Sequence, residues 1–147
     1  MNKTITKIAG VLTSPKGTGL GLLLLRLGAG AMMLTHGLAK LTGYTAMATA
    51  FPDPIGIGAQ LSFTLVMLAE FVGAILLMLG LFTRLAALSL SIGMAVAAFI
   101  AHAPFSVSGS ELPLLYLVVF IVLLVSGGGR YSVDHYIYKS ASKTSRK

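Results

Sequence analysis

The sequence contains no cysteine and no tryptophan, and only 10% of its 147 residues are charged. Without cysteine, the chain itself forms no disulfide, offers no thiolate to a metal and carries no CxxC redox motif. Without tryptophan, anchoring at a membrane–water interface depends on tyrosine, lysine and arginine. A soluble domain usually carries about 25% charged residues. So few charges cannot cover a water-facing surface, and this composition therefore excludes an ordinary soluble domain.

Apolar residues and basic charge are what the sequence has in excess. Hydrophobic residues make up 56% of the chain, and the mean hydropathy is +0.90. Four apolar stretches predict an all-α integral membrane protein whose spans form a four-helix bundle, at about residues 19–41, 59–82, 85–103 and 111–126. We expect one transmembrane domain over residues 1–138, followed by a basic tail over residues 139–147.

The basic residues are distributed on one side of the predicted spans. Nine of the eleven fall at the N-terminus, in the turn between the second and third spans, or at the C-terminus: Lys3, Lys7, Lys16, Arg84, Arg130, Lys139, Lys143, Arg146 and Lys147. The positive-inside rule therefore predicts four crossings with both termini in the cytoplasm. Because these residues flank apolar stretches, the net charge of +7 indicates contacts with anionic lipid, and we expect no nucleic-acid partner.

Ionisable residues interrupt the first two spans. On a helix, Arg26, His36 and Lys40 fall inside a sector of roughly 80°, so this stripe must face other helices or a water-filled cavity. Counted from the predicted cytoplasmic ends, Arg26 and Glu70 differ in depth by only about 5 Å, and we predict an ion pair between them. The pair fixes helix register under one interpretation. Under the other, it belongs to a site for an anionic or quinone-like ligand or to a proton relay.

A second polar cluster is predicted near the outer face. His36 and Lys40 lie one turn apart, His102 ends the third span and Glu111 begins the fourth. Two histidines and a carboxylate are metal-ligand types, but they form no compact motif such as HExxH, so we assign no metal site. The other interpretations are a polar pocket for a small ligand and a His36 that merely bonds a neighbouring helix. The candidate ligand-binding residues are therefore Arg26, His36, Lys40, Glu70, His102 and Glu111.

Two further patterns have ordinary structural interpretations. Arg130 and Asp134 are spaced i, i+4 just beyond the last span, which predicts an ion pair that ties down the tail. The methionines within the spans are expected to fill gaps in the core: Met32, Met33, Met67, Met78 and Met94.

Taken together, the motifs resemble the DoxX family of small bacterial membrane proteins over most of the chain, from about Leu22 to Asp134. The segments that carry this resemblance are LLRLGAGAMMLTHGLAKL, LAEFVGAILLMLGLFTRLAAL, ELPLLYL and GGGRYSVD. The most specific elements are HG-x-x-K, at His36, Gly37 and Lys40, and E-x-x-G…LG-x-x-TR, at Glu70, Gly73, Leu79, Gly80, Thr83 and Arg84. The resemblance implies a multi-pass protein of the bacterial inner membrane.

The same resemblance supplies a redox hypothesis, because relatives of the DoxD and DoxA type form a thiosulfate:quinone oxidoreductase. Under this hypothesis the chain is a small subunit of a quinone-linked membrane redox system, with a quinone as the implied cofactor and other redox subunits as partners. The absence of cysteine argues against thiosulfate chemistry on this chain. The alternative is a non-enzymatic protein, either a small-solute transporter or an assembly factor. Four short helices are few for transport, so a transporter is expected to be a homo-oligomer.

Overall fold

A computed structural model describes residues 15–101 and 105–144. Within these ranges the chain forms helices and no strands, which confirms the all-α class there. A π-helical segment, Ala97–Ala101, directly continues the fourth helix. The α-helices are α1 (Pro15–Thr42), α2 (Tyr44–Met47), α3 (Ala59–Leu79), α4 (Thr83–Val96), α5 (Glu111–Ser126) and α6 (Val133–Thr144).

Three of these elements are long and apolar enough to cross a membrane: Gly17–Thr42, Ala59–Leu79 and Thr83–Ala101. They correspond to the first three predicted spans. The fourth apolar helix, α5, has 16 residues and a length of about 24 Å, somewhat less than a typical hydrocarbon core. The four-crossing bundle and its orientation remain predictions. Residue 138, the predicted end of the domain, lies inside α6.

Helix ends follow local chemistry. α3 ends where Gly80 adopts the left-handed conformation, with φ 70°, and donates its N–H to the last turn. At the other end of α3, Asp53 accepts hydrogen bonds from the Ile57 and Gly58 N–H groups and from the Ser62 hydroxyl. The bond from Ser62 does most to lower the pKa of this carboxyl, and the bond from Gly58 adds to it. Asp53 therefore holds the loop onto the start of α3.

The four long helices contact one another in a cycle, because α1 packs on α3, α3 on α4, α4 on α5, and α5 touches α1. Their shared core includes Met33, Met94 and Phe120. Gly37 brings α1 closest to α3: a Cβ added there would lie 2.5 Å from the Phe71 nitrogen and 2.8 Å from the Glu70 carbonyl carbon. The register between α1 and α3 is therefore set where the side chain is smallest.

Arg26 is fully buried, but the predicted ion pair between Arg26 and Glu70 is wrong. Its guanidinium donates through Nη1 to the Leu77 carbonyl at 3.4 Å and through Nη2 to the Tyr131 carbonyl at 2.8 Å. Leu77 is seven residues beyond Glu70, about 10 Å along α3. The prediction compared depths counted from the predicted helix ends and so did not detect the offset between Arg26 and Glu70. The actual alignment of α1 with α3 is set by their contact at Gly37. Arg26 therefore fastens α1 to the segment after α5.

The predicted ion pair between Arg130 and Asp134 is also absent from the described residues. Asp134 has other partners. Its carboxylate accepts hydrogen bonds from the Phe82 and Thr83 N–H groups, both at 2.8 Å. The Asp134 N–H donates to the Gly80 carbonyl at 2.9 Å. The i, i+4 argument failed because α6 begins only at Val133, so Arg130 is not on the same helix. Asp134 instead satisfies free N–H groups at the start of α4.

These contacts predict an acid-dependent contribution of Asp134 to stability. Burial raises the pKa of Asp134, but the hydrogen bonds from Thr83 and Phe82 and the charge of Arg26 together bring it below its ordinary value. A carboxyl whose pKa is lower in the folded than in the unfolded state stabilises the protein at pH values above its unfolded-state pKa, near 4. This stabilisation is lost as the pH falls through the folded-state pKa. Asp134→Asn should therefore lose less stability than wild type on acidification from neutral pH. Parallel pH profiles of detergent thermal unfolding would contradict this assignment.

Candidate functional site

A cavity of about 420 Å³ lies among α1, α3, α4 and α5. Its polar lining consists of His36 and Lys40 on α1, Glu70 on α3 and Tyr116 on α5. The remaining wall is largely apolar and comes from Met33, Met94, Ala97, Gly109, Leu112 and Pro113. Its volume falls within the range of small-molecule sites, and so does its mixture of apolar wall and a few polar groups.

Lys40 on α1 and Glu70 on α3 form an ion pair in the lining of this cavity. The Lys40 Nζ lies 2.6 Å from the Glu70 Oε2, and the two side chains are 22% and 7% exposed. Lys40 follows Gly37 by about one helical turn, and helical side chains point back toward the N-terminus of their helix. The close approach of α1 and α3 at Gly37 therefore brings the ammonium to the carboxylate. Because the two charges are opposite, the pair adds no net charge to the lining of the cavity.

Tyr116, on α5, is a further polar residue in the lining of the cavity. The residue is 6% exposed, and its buried hydroxyl has no hydrogen-bond partner among the residues that the structure describes. The ring stacks on Phe120 at a centroid distance of 5.6 Å and meets the His36 ring edge-on at 6.2 Å. A buried hydroxyl without a partner costs about 1–3 kcal/mol. The Tyr116 ring is thus fixed by its neighbours, and its hydroxyl keeps unused hydrogen-bonding capacity beside the cavity.

His36 and Lys40 stand between two cavities. Both residues also line a second cavity, of about 450 Å³, that is bounded by α2 and by the loop that follows it. Met47, Phe51 and Phe63 form part of its apolar wall. A single turn of α1 therefore presents polar groups to both spaces.

The structure brings together three of the six predicted ligand-binding residues: His36, Lys40 and Glu70. Arg26 is held elsewhere by its backbone acceptors, and Glu111 is exposed at the start of α5 and does not line the cavity. His102 lies outside the described residues. Among the residues that the structure does describe, no group of three or more His, Asp or Glu side chains is placed to hold a metal.

Sequence reasoning missed Tyr116 and the π-helical segment after α4, which contributes Ala97 to the cavity. A signal for the tyrosine was present in the segment ELPLLYL, because a phenolic hydroxyl inside an apolar helix requires a partner. The π-helix has no comparable signal. It continues α4 beyond Val96, and the Ser110 hydroxyl donates to the Ala98 carbonyl within it at 2.9 Å. Such segments recur at functional sites.

The sequence model of the DoxX family matches residues 21–103, which contain His36, Lys40 and Glu70. Two uncharacterized proteins of Haemophilus influenzae are similar: one is 34% identical over 131 residues, 84% of this chain and 87% of its own. The other is 36% identical over 122 residues, with coverages of 78% and 89%.

The inner membrane protein YqjF of Escherichia coli is 28% identical over 123 residues, which cover 81% of this chain and 93% of YqjF. No solved structure matches the chain. The family match spans more than half of the sequence, and it includes the first three apolar helices almost completely. The chain therefore belongs to the DoxX family.

Proposed function

We propose that this protein is a bacterial inner-membrane subunit that binds a small neutral ligand of the quinone class in the cavity among α1, α3, α4 and α5. The inner-membrane location rests on the similarity to YqjF and on the three apolar helices. The ligand proposal is carried by the Tyr116 hydroxyl, which has no partner among the described residues, beside a cavity whose charged residues, Lys40 and Glu70, neutralise each other.

The chemistry of the lining fits a quinone head group. A quinone ring is flat and apolar and has carbonyl oxygens that accept hydrogen bonds, which matches an apolar wall with one phenolic donor. Tyr116 would donate to a carbonyl, while Met33 and Met94 would contact the ring. Because Lys40 and Glu70 are already paired, the described lining residues offer an anion no unpaired lysine or arginine. When bound, a quinone supplies electron transfer, and in this proposal the electrons come from a partner subunit.

Binding of a quinone should depend on the Tyr116 hydroxyl. Tyr116→Phe removes one oxygen and keeps the ring contacts with His36 and Phe120. Since a neutral hydrogen bond contributes about 0.5–1.5 kcal/mol, affinity for a short-chain ubiquinone analogue should fall roughly 2- to 13-fold. The measurement is titration of purified protein in mild detergent, together with mass spectrometry of co-purified quinone. Tyr138→Phe, at a tyrosine that is 74% exposed, is the matched control.

Absence of quinone from the wild-type protein, together with no binding on titration, would contradict the proposal. Equal quinone affinity in wild type and Tyr116→Phe would show that the Tyr116 hydroxyl does not contribute to binding.

Transport of a small solute is the second candidate function, favoured by the position of His36 and Lys40 between two cavities. Solute flux in proteoliposomes that is abolished by Glu70→Gln, without quinone binding, would support transport. Co-purification with another membrane protein, without any ligand, would support an assembly role.

We also propose that the protein crosses the membrane four times with both termini in the cytoplasm. The distribution of basic residues favours this orientation. The Phe82 and Thr83 N–H groups donate to Asp134 and so hold the segment after α5 against the start of α4, the helix whose first turn contains Arg84. Green fluorescent protein fused after Lys147 should fluoresce, and alkaline phosphatase fused there should be inactive. Fusions within residues 105–110 should behave oppositely. An active phosphatase after Lys147 would overturn this topology.

A further inference from the structure

The last helix, α6, is attached to the rest of the protein by its first turn. Asp134 is bonded to Gly80, Phe82 and Thr83 at the turn between α3 and α4. That turn joins two candidate membrane spans. The base of α6 therefore lies at the level where these spans end, which is the level of the lipid headgroups when the spans are inserted.

From its first residue onward, α6 exposes apolar and aromatic side chains on one face. Val133 is 39%, Tyr136 74% and Ile137 54% exposed. At 100° per residue these three positions fall within a sector of about 100°. Ser142 lies close to the opposite side of the helix. An exposed face of this kind, with tyrosine beside aliphatic side chains, is typical of helices that lie at a membrane–water interface.

Positive charge borders this apolar sector. Lys139 and Lys143 are spaced i, i+4, and on the helical wheel both fall within about 60° of Tyr136. The acidic residue of α6, Asp134, directs its carboxylate at the start of α4, so it does not cancel the two lysines. Lysines beside an interfacial apolar face can extend toward lipid phosphates while their methylene chains cover apolar surface.

We propose that α6 lies in the plane of the membrane surface and binds anionic phospholipid headgroups through Lys139 and Lys143. Val133, Tyr136 and Ile137 enter the interface, and Ser142 faces water. Two observations select lipid over a protein partner: the base of α6 is fastened at the end of the spans, and the basic residues lie beside the exposed tyrosine. This surface is separate from the cavity and does not depend on its ligand.

The absence of native cysteine makes a direct test straightforward. Single-cysteine variants Ile137→Cys and Ser142→Cys of the full chain carry a nitroxide label in nanodiscs. The discs contain phosphatidylcholine alone or mixed with phosphatidylglycerol. Electron paramagnetic resonance then compares the accessibility of each label to oxygen, which concentrates in the bilayer, and to a water-soluble nickel complex. With phosphatidylglycerol, the label at position 137 should favour oxygen and the label at 142 the nickel complex.

Charge variants identify the contribution of the lysines. In the Ile137→Cys background, Lys139→Gln with Lys143→Gln should lower the ratio of immersed to detached label about thirtyfold, equivalent to about 1 kcal/mol per lysine. Lys139→Arg with Lys143→Arg, which keeps both charges, should preserve immersion. High salt should act like the glutamine changes in the otherwise wild-type sequence.

Equal nickel accessibility at positions 137 and 142 in discs that contain phosphatidylglycerol would overturn the proposal. Protection of position 137 from both reagents, independent of lipid charge, would also overturn it, because such protection indicates burial against a protein. If that protection appears only in discs that hold two copies of the chain, the occupant is a second copy. Immersion that is equal with and without phosphatidylglycerol would remove the anionic headgroup from the inference.

Discussion

Replacing Lys40 with methionine is expected to destabilise the protein by about 3–5 kcal/mol, because it leaves the Glu70 carboxylate buried without its partner. Glu70 is only 5% exposed, and its Oε2 lies 2.6 Å from the Lys40 Nζ. Methionine keeps most of the volume of the lysine stem, so the loss reports the unpaired charge rather than a cavity. Thermal unfolding in detergent, or unfolding by a denaturing detergent, measures the effect.

A double-mutant cycle separates the pair from its surroundings. Glu70→Gln removes the charge that Lys40→Met leaves unpaired, so the double variant should recover much of the stability lost by the single change. Lys139→Met, on exposed α6, controls for loss of a positive charge and should have little effect. Additive losses from the two changes at positions 40 and 70 would show that these residues do not interact. In that event the neutral lining proposed for the cavity would also fail.

Replacing Gly37 with alanine is expected to cost about 3 kcal/mol, at the upper end of the range for overpacking. The added Cβ would lie 2.5 Å from the nitrogen and 2.7 Å from the Cα of Phe71. These are backbone atoms, and they cannot rotate away as the end of a flexible side chain can. α1 and α3 must therefore move apart, and the Lys40–Glu70 pair, about one turn away, should weaken with them.

Gly28 provides the matched control for this change. It lies on the same helix, and a Cβ added there would meet nothing within 4 Å. Gly28→Ala should therefore be neutral or slightly stabilising, since alanine favours the helix over glycine. The comparison measures unfolding of both variants in the same detergent. Equal stability of Gly37→Ala and Gly28→Ala would mean that α1 and α3 are not held together at Gly37.

Much of the fold could be predicted from the sequence, because hydropathy and helical period are properties of short stretches of chain. The predicted fourth span, residues 111–126, coincides with α5. The prediction that charged residues turn away from lipid holds for Arg26 and Glu70, which are 0% and 5% exposed. The predicted start of the first span, residue 19, was less accurate than the predicted limits of the fourth. α1 begins at Pro15, because the first turn of a helix tolerates proline.

The partners of the charged groups could not be predicted in the same way. Arg26 and Asp134 both bond backbone atoms, and a pairing argument that considers only opposite charges omits such acceptors and donors. The apolar context of Tyr116 indicates that its hydroxyl needs a partner, but it does not show whether the fold supplies one. Only the packing of α5 shows that Tyr116 lines a cavity and that its hydroxyl has no partner within the described part of the chain.

The sequence by itself determined a helical membrane protein of the DoxX family with ionisable residues along the first span, since each of these follows from composition, periodicity or local motif. The tertiary structure alone decided that Glu70 pairs with Lys40 and that Arg26 fastens the chain beyond α5. The physical reason is the register between α1 and α3. It is set by the backbone contact at Gly37, and no local pattern encodes the distance between two helices.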